Sequence, residues 1–578
     1  MSFQRKMIDF QTFFQHKRLF SFCSLTSFFL LSLVLLVCAA CSASVPAEEG
    51  VAFQDTPEEE QPYKSNYDEP PGWAAVFQPR PRHSSRNQDT VFSADAVSTL
   101  YVDSYPENFG SITKLTVYAS DNEGIPFNIN SYYKKKDNTV YLFMPSSADL
   151  SNITVRALHN SGVETGTYTL DFTETTYGVY YGSNSSYCPV VAKQSGIPTL
   201  FVEIAEEYGS ISDMRRDPSH ETECFGDMAL VVGDELAQTR KWARETISRE
   251  NDPASPGTIR MRGRGNWTWN QEKKPYQLTF EKPTDLLGMG KAKRWILLAN
   301  VMDASLLRNQ LFYELAADMK MPYSVDIEPV DLFLNGDYMG SYSLCEKVEV
   351  GDNRVDIDPD SDYLLELDHY YQSEQYTFTT NRGKNFTVHS PENQRAVATI
   401  KEIINSIEAD IYEEGDSLPQ GIDEKSFIRY WWLQDLSRNN DTFIGSNFFY
   451  YVSEEKKLYA GPVWDMDNTL GIWGGGENLM PKGWHSSNRG WLKHLAKNSA
   501  FWDALERYYR SEAEILFNNL PYRINELADY IKESADMNYI VNSRNDYVNS
   551  RTNSWEEDIA YLKSFLEKRL GWYSSQFD

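Results

Sequence analysis

The residues best suited to chemistry lie between Asn439 and Gly471, where two Asn/Asp-rich segments flank an apolar run. Asp441 sits in the first segment and Asn447 closes it, while Asp465 and Asp467 stand in the second, Trp464-Asp465-Met466-Asp467. Residues 448–452 and 458–464 read as two strands joined by a charged turn over 454–457. A hairpin brings its open ends together, so Asn447 on entry and Asp465 on exit should meet at one edge, beside Asp441. Amide and carboxylate oxygens near a spare carboxylate suit a hard divalent cation, Mg2+ or Mn2+, held with water and phosphate oxygens. An ordinary hairpin fed by a solvated turn would use the same residue types, because Asn and Asp are common in turns.

A basic segment precedes this acidic one. Arg262-Gly263-Arg264-Gly265-Asn266 combines glycines, which let backbone N–H groups approach an anion, with guanidinium forks that fit phosphate oxygens. A bulged surface hairpin is the plainer alternative. In the following strand, 274–280, Lys274, Tyr276, Leu278 and Phe280 share one face by the period of two, with Lys273 on the other. A lysine on an apolar face calls for a partner unless it snorkels to water. After a strand at 295–299, Asp303 or Ser305 can cap a helix running to 319. Glu314 falls in the same stripe as Leu307, Leu311 and Leu315, where it could orient Lys274 or reach solvent at the stripe's edge. Residues 330–344 carry an Asn335-Gly336 hairpin turn and run into Cys345-Glu346-Lys347-Val348, a candidate connection between two lobes.

These segments need a scaffold, and 578 residues imply two or three domains. A net charge of −28 argues against nucleic acid as a partner. Residues 1–40 read as an export signal, with a basic leader, an apolar run at 24–37, and Cys38-Ala39-Ala40-Cys41 at its end. Small residues before Cys41 resemble a bacterial lipoprotein cleavage site, so we expect a lipidated Cys41 at the outer face of the cell membrane; an uncleaved anchor is the rival. Residues 41–88, rich in Pro, Glu and Asp, read as a disordered tether. Short alternating strands over 89–175 fit an immunoglobulin-like β-sandwich, a spacer module. The body, 176–578, carries the chemistry and ends in helical stripes such as Phe501, Leu505, Tyr508 and Tyr509, then Ile559, Leu562, Phe565 and Leu566. Beyond the leader stand Cys188, Cys224 and Cys345, as one bridge between the first two or as three buried thiols.

The body resembles the CotH-type kinases, the family named for spore-coat protein H. The matching stretches are Arg262 to Asn266 with Lys273-Lys274-Pro275-Tyr276; Trp295 to Asn300 with Asp303 and Arg308-Asn309; Leu334 to Tyr342; Glu346-Lys347-Val348; and Asn440-Asp441 through Asn447 to Asp467. The resemblance implies an α+β architecture, an atypical two-lobed protein-kinase-like domain behind the β-sandwich. It also implies ATP and Mg2+ as cofactors and Ser or Thr of exported proteins as phosphate acceptors. By the same matching Asp441 resembles the catalytic aspartate and Asp465 the metal-binding one. Asn447 and Asp467 are further candidates for the metal. Lys274, Glu314, Arg262, Arg264, Asn266 and Glu346 are candidates for the nucleotide. The order Asp, Asn, hairpin, Asp is also that of protein kinases. Two features depart from that pattern: no G-x-G-x-x-G precedes the lysine, and five residues, 442 to 446, separate Asp441 from Asn447. Asp435, in the helix-like run after Trp431, is the nearest alternative carboxylate and is expected to tolerate replacement. The competing functions are a catalytically silent surface-binding lipoprotein with a structural cation, holding glycan or protein, and metal-assisted phosphate-ester hydrolysis.

Overall fold

Seven runs rich in β-branched and aromatic residues pair into a closed barrel. They are β1 (Thr199–Ile204), β2 (Glu223–Val231), β3 (Ile259–Gly263), β4 (Tyr276–Asp285), β5 (Lys291–Leu298), β6 (Ile327–Leu334) and β7 (Asp337–Glu346). Their order is β1-β2-β3-β4-β5-β7-β6, and the parallel pairing of β6 with β1 closes the ring. Alternation fills the inside with Leu200, Met261, Leu278, Leu297, Leu332 and Leu344, and turns Arg260 and Arg262 of β3 outward. Asn335 and Gly336 both take positive φ, 49° and 82°, which gives the tight β6–β7 hairpin that their types imply.

The computed structural model describes residues 97–99 and 112–577, apart from 160–161, 183–185, 205–207, 234–258, 414, 473–475, 545–546 and 548–551. The leader at 1–40, Cys41 and the tether at 41–88 lie outside the described residues. Ahead of the barrel stand two sheets around one apolar core. One contains Lys114–Val117, Ile129–Asn130, Ile153–Leu158 and Glu164–Leu170; the other includes Thr139–Met144, Thr176–Tyr181 and Ser186–Gln194. The second sheet thus continues to Gln194, beyond the expected limit at 175, because Val140 to Met144 pair in parallel with Val190 to Gln194. The core of these sheets also takes in Phe201, Phe333 and Tyr338 of the barrel.

The remainder is built on a five-stranded sheet, β8 (Tyr363–Leu367), β9 (Thr377–Thr379), β10 (Asn385–Ser390), β11 (Asn447–Val452) and β12 (Lys457–Ala460), in the order β9-β10-β8-β11-β12. It shares its core with α1 (Arg308–Asp318), α2 (Gln394–Tyr412), α3 (Glu424–Ser437), α4 (Leu520–Val541) and α5 (Trp555–Phe577). The Asn393 side chain caps α2 and that of Asp423 caps α3. After Arg429 helix α3 is buried on every side: Tyr430, Trp431, Trp432, Leu433 and Leu436 are buried together with Gln434, Asp435 and Ser437. Arg438, left-handed at φ 50°, ends it and releases the chain into the Asp441 loop. With 32% helix and 30% strand, the content is compatible with the expected α+β class.

Cys188, Cys224 and Cys345 are three buried thiols, the second of the two arrangements open at the sequence level. No helix among the described residues is long and apolar enough to cross a membrane.

Candidate active site

The Asp441 loop is shaped by amide side chains. Asn439 Oδ1 accepts from the N–H of Asp441 at 2.9 Å, and its Nδ2 donates to the carbonyl of Asp465 at 3.2 Å. Asn447, at the start of β11, accepts from Tyr430 Oη at 2.7 Å and from Phe443 N at 3.0 Å. Its Nδ2 donates to the carbonyls of Asp441, at 2.7 Å, and Gly445. Both ends of the Asn447 amide are thus hydrogen-bonded, its oxygen to α3 and the loop and its nitrogen to the loop. Phe443, Ser446 and Asp465 all take left-handed φ of 54–59°. Non-glycine residues persist in that region only where their surroundings fix them, as at many functional sites.

The second segment is held from the other side by α1. The N–H of Met466 donates to Asn309 Oδ1 at 2.9 Å, and that of Asp465 to Tyr313 Oη at 3.3 Å. Arg308 Nε donates to the carbonyl of Thr469 at 3.0 Å. Asp303 binds the Arg308 guanidinium in a buried ion pair and also accepts from the N–H of Arg308 at 2.8 Å. The Tyr313 ring stacks on Trp464 with centroids 5.9 Å apart. Helix α1 begins at Arg308, so Asp303 caps it from five residues upstream through an intervening turn.

Asp441, Asp465 and Asp467 are thereby brought close enough to repel one another. Burial raises the Asp465 carboxyl to about 6, and the Asp441 charge adds to the rise; Arg264 and a hydrogen bond from Ser446 oppose it. Asp467 is lifted well above the carboxylate range by burial, then by Asp465, Asp303 and Asp441. Asp441 is raised by burial and eased by Asn468, whose Nδ2 donates to Asp441 Oδ2 at 3.3 Å. The Oδ1 of Asn468 is buried without a partner.

An opposite excess adjoins the acids. Lys347, just past β7, is lowered to about 8 by burial and by the charges of Arg294, Arg262 and Arg264, against Glu349. Arg262 and Arg294 also line a groove of about 920 Å3 on the outer face of β3, β4 and β5, walled on the other side by Glu349 to Arg354. Arg264 belongs to both clusters: its charge acts on Asp465 and Asp467, and its guanidinium lies 5.6 Å from the centre of the Trp464 ring. Gly265, at φ +79°, lets the chain turn there; a Cβ would stand 2.5 Å from Thr268 Oγ1.

Residues 259–573, more than half of the chain, match the family described as CotH kinase protein. The chain belongs to this family. No curated protein matches it. The CotH match spans the barrel from β3, the α1 grip, and both acidic segments, and makes the protein kinase-like.

The donors present fit a hard divalent cation: carboxylate oxygens of Asp465 and Asp467 in a cluster with surplus negative charge, and the unpartnered Oδ1 of Asn468, whose Nδ2 bonds Asp441. Among the described residues, no three His, Cys, Asp or Glu side chains form a ready-made metal cage.

Other expected site residues stand elsewhere. Strand β4 begins at Tyr276, opposite Gly263, so the period of two does not reach back to the lysines. It is Lys273 that is buried, bonded to the Ser341 carbonyl, Asn538 Oδ1 and Tyr547 Oη, whereas Lys274 donates to the carbonyl of Trp269. Glu314 faces Arg523, 3.7 Å away, and accepts from Gln310 at 2.7 Å; the Lys274–Glu314 pair does not form. Glu346 forms a buried ion pair with Arg354, and Asn266 is exposed. Asp435 is fully buried, paired with Arg569, and accepts from Tyr573 Oη and the N–H groups of His485 and Ser486. The expected tolerance at Asp435 is thus corrected: it is a structural anchor. Arg308 and Asn309 lay within the matching motifs, but only the tertiary contact shows their part in holding the second acidic segment.

Proposed function

We propose that the protein is an atypical protein kinase that transfers the γ-phosphate of ATP to Ser or Thr hydroxyls of exported proteins, with Mg2+ or Mn2+ as cofactor. The observation that carries this reading is Arg264, where a cluster of surplus cations meets a cluster of surplus carboxylates. Mg-ATP carries both complementary charges: phosphates for Arg262, Arg264 and Lys347, and a cation for Asp465 and Asp467. The groove beside Arg262 and Arg294 has the volume for the nucleoside.

In this reading Asp465 and Asp467 hold the cation, with Asn468 Oδ1 a further donor. When bound, the cation neutralises charge on the phosphates and fixes their orientation. Asp441 orients the acceptor hydroxyl. Its oxygen forms the new bond to the γ-phosphorus, the bond to the ADP oxygen breaks, and the hydroxyl proton passes to the Asp441 carboxylate. Burial favours Asp441 as a proton acceptor by raising its affinity for the proton. The role of α1 is to hold the backbone of 465–469 in register through Asn309, Tyr313 and Arg308.

We read the barrel as the small lobe, the α2–α5 body with its sheet as the large lobe, and the N-terminal sheets as an immunoglobulin-like spacer. A lipidated Cys41 at the end of the leader would hold the enzyme at the outer face of the membrane, where exported proteins pass. The test is transfer of radiolabel from γ-labelled ATP to protein. Mg2+-dependent labelling of Ser or Thr by the wild type, lost in Asp441→Asn, supports the reading. No labelling by the wild type with any divalent metal overturns it and favours the silent binding protein, whereas full labelling by that variant overturns the role given to Asp441.

A further inference from the structure

The Asn335-Gly336 turn, prominent in the sequence, has no place in the phosphoryl-transfer site. It docks on the N-terminal sheets instead. The Gly336 carbonyl accepts from the N–H of Asn130 at 2.8 Å, and a Cβ on Gly336 would stand 2.7 Å from the carbonyl oxygen of Asn128. Beside this joint lies a cleft of about 400 Å3, within the range of roughly 300–1,000 Å3 that holds small molecules. Lys114, Thr116 and Tyr118 form one wall, because alternate residues of their strand face away from the core that takes Leu115 and Val117. Leu158 adds an apolar patch, and Ile204 and Asp227 come from the barrel.

Two oxygens on these walls are buried without a hydrogen-bond partner, Thr116 Oγ1 and Asp227 Oδ1, and Thr116 is only 4% exposed. A buried polar atom left unpaired is costly, so such atoms indicate a ligand or ordered water. The frame around them is already rigid. Asn335 is hydrogen-bonded both ways to the backbone of Ile204, at 2.7 and 3.0 Å; Asn130 Nδ2 donates to Asp337 Oδ1 at 2.8 Å; and Asn128 Oδ1 accepts from Ala119 N at 3.0 Å. A preformed cleft avoids an ordering cost on binding.

We infer that this cleft binds one saccharide unit of a glycan. Asp227 and Thr116 ask for hydroxyl donors, Lys114 offers a donor to a hydroxyl or acetamido oxygen, and Leu158 and Ile204 offer an apolar surface to C–H groups. A pyranose has that combination, hydroxyls around its rim and C–H groups on its faces. A long aliphatic chain would leave the buried oxygens unsatisfied, and a phosphate would meet Asp227 and Glu203 against a single lysine.

The inference is tested on the full-length protein by saturation-transfer NMR and calorimetry with glucose, glucosamine, N-acetylglucosamine and its β-1,4-linked dimer, at millimolar sugar. At least one should bind saturably. Thr116→Val, which keeps the side-chain shape, and Asp227→Ala should each weaken it about tenfold or more while the unfolding midpoint of Thr116→Val stays near the wild type. Saturable binding of none of the four sugars, or unchanged affinity in both variants, overturns the inference and leaves a water-filled cleft.

Discussion

The N–H of Met466 donates to Asn309 Oδ1 at 2.9 Å, across 157 residues of chain. This bond ties the first turn of α1 to the residue between Asp465 and Asp467, so the position of both carboxylates depends on a helix that precedes them by more than a hundred residues. Asn309→Ala leaves a buried N–H unpaired and should destabilise the protein by about 1–3 kcal/mol. It should also weaken Mg2+-dependent nucleotide binding about tenfold. Titration calorimetry together with denaturant unfolding checks both; a loss of stability with unchanged metal-dependent affinity would restrict α1 to a scaffold role.

Asp441 and Asp435 should separate cleanly. Asp441→Asn removes the proton acceptor, and phosphorylation should fall by roughly 10²–10⁴-fold with Mg-ATP affinity nearly unchanged. Asp435→Asn leaves Arg569 buried without its counter-charge and should cost about 3–5 kcal/mol of stability. Chemical denaturation and label transfer, measured on both variants, distinguish a reacting group from an anchor.

How far these roles were legible in the sequence depended on distance along the chain. The pairing of Phe449 to Val452 with Lys457 to Ala460 is local, and the residue pattern announces it, which brings Asp465 near the Asp441 loop. The second strand stops at Ala460 and not at 464, and Gly461, at φ +107°, then turns the chain. Which of Lys273 and Lys274 is buried depended on where β4 starts, and its start is set by pairing with Gly263 across a loop that periodicity does not register. Asn447 has the residue type of a ligand, but Tyr430 and Phe443 take its oxygen, and neither contact follows from spacing. The α1 grip and the Arg569–Asp435 pair join residues more than 130 positions apart, beyond the reach of any local pattern.

The two lysines give a further contrast. Lys273→Met removes donors to the Ser341 carbonyl, Asn538 and Tyr547 and should destabilise by about 1–3 kcal/mol. Lys274→Met removes one bond from a partly exposed residue and should cost less than about 1 kcal/mol. Denaturant midpoints check the pair; a larger loss in Lys274→Met would show that Lys274 has the larger structural part.

His485 should make the fold sensitive to acid. Burial, with Arg489 and Arg438 nearby, lowers its pKa from 6.5 to about 2, and its Nε2 bonds to the carbonyl of Asn439 at 2.9 Å. The unfolded chain therefore takes up a proton below pH 6.5 that the folded chain refuses until about pH 2. Its contribution is whole above pH 6.5 and is lost as pH falls below that value, by up to about 1.4 kcal/mol per pH unit. Comparison with His485→Gln isolates this slope from that of Asp465 and Glu346, whose raised values act in the opposite direction. The stability difference between wild type and variant should shrink between pH 6.5 and 5; a constant difference would mean that His485 titrates alike in the folded and unfolded chains.

In the proposed site, cations around Arg264 and carboxylates at Asp465 and Asp467 together receive a metal-bound nucleotide. Calorimetric titration of ATP into the protein, with and without Mg2+, tests it most directly when run on wild type and Asp465→Asn. Mg2+ should strengthen ATP binding to the wild type, and this gain should disappear in the variant while its fold is kept. Equal affinity with and without Mg2+ in the wild type, or an undiminished gain in Asp465→Asn, would contradict it.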